Sequence, residues 1–186
     1  MSAFPADDVM KRYLACPIVG QLQINSLLAH GVPPTAIANP DVLVRAMVAF
    51  SGCRFDFPDE VRQNRETEPA LLALVRDEID GCPLDLAAWA PNSGKLAMWR
   101  GRLSYIGEAC GPRLHEHGAL PVYADPLSWL ASDRNGIVIV DQMHARHELI
   151  GPFAAMGGLG HARSILHSLS ITPRIFVAQA QQSDAA

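Results

Sequence analysis

Apolar positions recur at helical spacing through the first third of the chain. From Asp8 to Ala15 and again from Val19 to Ala29 they fall every three or four residues, with Pro17 between the runs and Gly31 closing the second. Val32-Pro33-Pro34 is a stiff connection. A third helix is predicted from Pro40 to about Ser51, because Asn39 can cap it, Pro40 suits its first turn and Gly52 can accept the left-handed conformation beyond its end. Val42, Leu43, Ala46, Met47 and Phe50 would share its core face.

Beyond residue 53 the pattern shortens. Arg54 to Phe57 reads as a short strand and Asp59 to Glu68 as a polar loop. Leu71 to Val75 and Leu84 to Trp89 are apolar segments joined through Asp80-Gly81, which is hairpin chemistry, with Pro83 at a strand edge or first position. Leu96 to Ala109 predicts an amphipathic helix, since Trp99, Leu103, Ile106 and Cys110 repeat at three to four residues. Short segments then alternate: Leu120 to Tyr123, Pro126 to Ala131, Gly136 to Val140, a helix around Met143 to Leu149, Ile150 to Phe153, Leu159 to Leu169 and Arg174 to Val177. A fully apolar strand such as Ile137-Val138-Ile139-Val140, set between helices, implies a parallel or mixed sheet covered on both faces.

The expected class is therefore α/β or α+β, a mixed sheet with covering helices. A helical portion over 1–53 would pack with an α/β core over 54–178 as one domain, followed by a disordered tail over 179–186.

Composition narrows the function classes. The 186 residues carry 15 basic and 19 acidic side chains, a net charge of −4. Only Lys11 and Lys95 are lysines, and the arginines are scattered singly. That is no field for a phosphate backbone, so bulk nucleic-acid binding is disfavoured. Ala29-His30-Gly31-Val32 echoes a helix-turn-helix turn, but Pro40 ends the would-be reading helix too early. No apolar stretch approaches the ~20 residues of a membrane span, and Asp7-Asp8 stands where a leader would be basic, so a cytoplasmic location is expected. Cys16, Cys53, Cys82 and Cys110 lack paired metal-site spacing and read as small buried hydrophobes. Trp89, Trp99 and Trp129 read as packing anchors.

Candidate chemistry gathers at one place. Asp141 stands at the carboxyl end of its strand, where ligands of open α/β sheets collect, and His144 and His147 follow on one helical face. A carboxylate and two imidazoles suit a divalent transition metal, His115 and His117 could add ligands, and Glu116 between them is a candidate general base. Asp141 equally suits a helix cap. Gly157-Gly158-Leu159-Gly160 opens a helix, yet Arg163 stands where a dinucleotide fingerprint needs its third glycine. Asp125-Pro126 fits a helix start better than a magnesium site.

The run Pro83-Leu84-Asp85-Leu86-Ala87-Ala88-Trp89, the later Trp99, and Pro126-Leu127-Ser128-Trp129-Leu130 ahead of Gly136-Ile137-Val138-Ile139-Val140-Asp141 resemble a group of uncharacterised bacterial proteins often found beside prophage or other mobile-element genes. The resemblance implies genomic company and no reaction. Two functions are thus expected to compete: a non-enzymatic accessory protein that works through a protein partner and needs no cofactor, and a metal-dependent hydrolase using the Asp141 cluster.

Overall fold

A computed structural model describes residues 5–61, 65–109, 118–149 and 151–169. Among them are six helices and nine strands in a mixed α+β fold. Helices α1 (Pro5–Ala15) and α2 (Gln21–Ala29) lie where the apolar spacing places them, and Gly31 leaves α2 at φ 82°. A short α3 (Pro34–Ala38) ends the helical portion.

The helix expected over 40–51 is instead strand β1 (Val44–Ser51). Its apolar residues satisfy both periods, and the alternation wins because Val44 and Val48 enter a barrel while Arg45 and Met47 face out. Gly52, at φ 61°, heads the two-residue turn into β2 (Arg54–Asp56) and caps no helix. Strands β3 (Glu68–Arg76) and β4 (Pro83–Ala90) form the expected antiparallel hairpin, with Pro83 at the first position of its strand.

The helix expected over 96–109 is also absent. The chain there makes β5 (Lys95–Met98) and β6 (Tyr105–Gly107), which belong to different sheets. What holds the crossing is Asp85, a fully buried side chain on β4. Its carboxylate accepts the main-chain N–H groups of Arg100 at 2.8 Å and Arg102 at 2.9 Å, and these bonds clamp the bend at Gly101, φ 61°. Trp99 and Ile106 keep their helix-like spacing but serve separate cores.

Strands run β1-β2-β5-β4-β3 in a closed barrel, antiparallel except for the β2–β5 pair. Leu72, Leu86 and Phe55 fill it, and α1 sets Val9 and Tyr13 into the same core. On alternate positions β3 also buries Leu71 and Val75 outward, which is why its sequence is apolar throughout. Those outward residues meet a second sheet, ordered β6-β8-β7-β9, built from β7 (Leu120–Tyr123), β8 (Ile137–Ile139) and β9 (Phe153–Met156). The last three strands are parallel and β6 is the antiparallel edge. Helix α4 (Pro126–Ala131) faces the barrel side through Trp129 and Leu130, whereas α5 (Gln142–Glu148) and α6 (Leu159–Leu169) cover the far face with Ala145 and Ile165. The mixed sheet covered on both faces is thus present as expected.

Arg134 joins the two halves. In the turn before β8 it adopts φ 59°, as does Asp133. Its guanidinium donates to the main-chain carbonyls of Ala36 at 2.8 Å and Asp41 at 2.9 Å, and Asp133 Oδ1 accepts from Thr35 Oγ1 at 2.7 Å. Burial lowers the pKa of Arg134 from its ordinary value.

The cysteines depart from expectation. Cys82, in the β3–β4 turn, is exposed, and Cys16 and Cys53 are half-buried free thiols. Burial, then the negative charge of Asp141, holds the Cys53 thiol above its usual range, which makes it a poor nucleophile. Cys110, Ile150, Arg174 to Val177 and the tail over 179–186 lie outside the described residues.

Candidate functional site

Asp141 is the N-cap of α5. One carboxylate oxygen accepts the N–H groups of Met143 at 2.9 Å and His144 at 3.3 Å, and the other lies 2.7 Å from Nδ1 of His144. Burial opposes its ionisation, but the bonds from the His144 ring and from the two backbone donors outweigh that, so its pKa lies below the ordinary 3.8. The His144 side chain is 72% exposed. His147, one turn along, is exposed and accepts from Nε of Arg146 at 3.2 Å, which sets a guanidinium beside the expected metal ligand.

Asp141 and His144 are therefore brought together, and His147 points its ring nitrogen at Arg146. His115, Glu116 and His117 lie outside the described residues. Among the described residues no three His, Cys, Asp or Glu side chains gather as a metal site. Asp125 caps α4 through Ser128, as its sequence context implied, and His161 in the first turn of α6 donates from Nε2 to the carbonyl of Val122 at 2.9 Å. Asp125, Asp141 and His161 each have a structural bond at the strand ends.

A second place carries more open surface. Between the outer face of the barrel and α2 lies a cleft of about 960 Å³. That volume is at the upper end of the ~300–1,000 Å³ of ligand-binding pockets. Strand register builds its floor: Arg45 on β1 stands opposite Leu71 on β3, and Leu71 opposite Trp89 on β4, so the three form one row across the barrel. Met47, two residues from Arg45 on the same outward face, is 45% exposed. Gln23 and Ser26 on α2 and His30 at its C-cap line the facing wall.

The cleft's charges are unequal in freedom. Arg12 is paired with Asp59 and lies 4.1 Å from the centre of the Phe57 ring, so both of those cleft-lining charges are spent on each other. Arg45 makes no side-chain ion pair among the described residues. An apolar floor with one unengaged guanidinium can hold an apolar ligand and orient an anionic group on it.

Sequence reading missed this cleft. The helix predicted over 40–51 puts Met47 on its core face, and only the strand turns Arg45 and Met47 outward together. Trp99 and Trp129 are buried anchors as expected, whereas Trp89 opens in part onto the cleft.

No protein-family model, curated protein or solved structure matches the chain.

Proposed function

We propose that the chain is a non-enzymatic interaction protein, an accessory of a mobile genetic element that works in the cytoplasm by docking a protein partner in the cleft between the barrel and α2. The observation that carries this reading is the half-buried Trp89 and the exposed Met47, which line the cleft with the buried Leu71 and the unengaged Arg45. An exposed methionine, a partly open tryptophan and an arginine lining one cleft have the composition of a contact surface, where aromatic, Met and Arg side chains are enriched. No helix among the described residues is long and apolar enough to cross a membrane.

The rival reading, a metal-dependent hydrolase acting on a phosphate or amide, rests on the Asp141–His144 pair beyond β8. It would use Asp141, His144 and His147 as ligands, His115 and His117 as further ligands and Glu116 as general base. Affinity purification from the native host separates the two. The docking reading expects one discrete partner retained by wild type and by His144→Ala and lost from Met47→Glu. Stoichiometric zinc, manganese or iron in the purified protein, lost in His144→Ala, supports the rival, and a partner lost only from His144→Ala contradicts docking in the cleft.

A further inference from the structure

The geometry points to a specific occupant for the cleft. We propose that it takes an extended peptide segment of the partner in which an acidic side chain stands two residues from a large apolar one. This rests on the cleft being the docking site and adds the chemistry of what docks there.

Charge complementarity is the first argument. The chain has four more acidic than basic side chains, yet the cleft floor presents a guanidinium without an acidic partner among the described residues. Asp59, an acid of the lining, is already held by Arg12. Arg45 is exposed and lies next to Leu71 in the cross-strand row, so its planar guanidinium is open to a bidentate pair with an incoming carboxylate.

Spacing is the second. Arg45 and Met47 are alternate residues of one strand on its outward face, about 7 Å apart along the chain. Alternate side chains of an extended peptide repeat at the same distance. An acid over Arg45 therefore sets the side chain two positions away over Met47, where Pro69 stands opposite on the neighbouring strand, while Leu71 and Trp89 continue the row from Arg45. A helix, whose same-face residues fall three and four apart, would not keep that match.

Selection of a phage-displayed library of random 12-residue peptides on the full-length protein tests this. Enriched sequences are expected to carry Asp or Glu two positions from Leu, Met, Phe or Trp. A synthetic peptide of the enriched sequence should bind Arg45→Glu at least about tenfold more weakly, as should its own Glu→Gln or Asp→Asn version bind wild type. A Lys in place of that acid should recover binding to Arg45→Glu. Neutral or basic peptides that enrich and still require Met47 overturn the acidic occupant and leave the cleft as the docking site. Enriched peptides held equally by wild type, Arg45→Glu and Met47→Glu, or no enrichment at all, overturn both.

Discussion

Asp85 and Arg102 are seventeen residues apart in sequence and meet through a main-chain N–H to carboxylate bond of 2.9 Å. With the Arg100 N–H at 2.8 Å and the adjacent Leu86 N–H also at 2.8 Å, the fully buried carboxylate has three backbone donors. These bonds fix the crossing from barrel to second sheet, and they make a buried charge tolerable where an unpartnered one would not be.

Asp85→Ala strands the N–H groups of Arg100 and Arg102 and is expected to cost about 3 kcal/mol or more. Asp85→Asn keeps one acceptor oxygen and should cost less. Urea unfolding at neutral pH reads both, and a loss under about 1 kcal/mol for the alanine variant would show that the clamp is dispensable.

Arg134 supports the joint between α3 and the turn before β8 with two bonds to main-chain carbonyls. Replacing it by alanine should cost about 3 kcal/mol, the range of two charge-assisted bonds lost in a partly buried place. Arg134→Gly loses the same bonds but is at ease at φ 59°, so it should be about 1 kcal/mol more stable than Arg134→Ala. Equal midpoints for the two variants would mean that the left-handed backbone relaxes freely.

Asp141 gives a pH dependence of known sign. Its folded pKa lies below the ordinary value of 3.8, so its stabilising contribution is present above that value and is lost as pH falls through the lower folded pKa. Thermal unfolding between pH 5 and pH 2 should show this loss in wild type and lack it in Asp141→Ala, which at neutral pH gives up about 1 kcal/mol of capping. A wild-type profile that matches the variant's would remove the cap from the account.

The cleft variants should be silent in folding. Arg45 and Met47 face outward, so Arg45→Glu and Met47→Glu are expected to change stability by no more than about 0.5 kcal/mol. Matching melting curves make any loss of binding a surface effect, whereas a large fall in midpoint would place these side chains in the packing.

Much of the fold was legible where local chemistry decides it. Asp80-Gly81 marks the β3–β4 turn, and Ile137 to Ile139 between two helices marks a buried parallel strand. Asp125 reads as a cap, and a cap is one of the two readings of Asp141 beside that of a metal ligand, because a cap depends only on the next three residues. Two segments misled because their apolar residues fit both periods. Val44 to Ser51 becomes a strand by pairing with β3, and the stretch after Lys95 divides at Gly101 because Asp85, on another strand, holds its N–H groups. Such distant partners leave no local mark. The cleft was hidden for the same reason, since the row Arg45–Leu71–Trp89 exists only once three strands are in register.

The central claim, that the molecule works through the cleft and not through the Asp141 end of the sheet, is tested most directly by photo-crosslinking in the native host. A photoreactive amino acid is placed at position 47 in one strain and at position 144 in another. The account predicts a discrete protein adduct from position 47, abolished by Arg45→Glu, and none from position 144. An adduct from position 144 alone, or none from either, would contradict it.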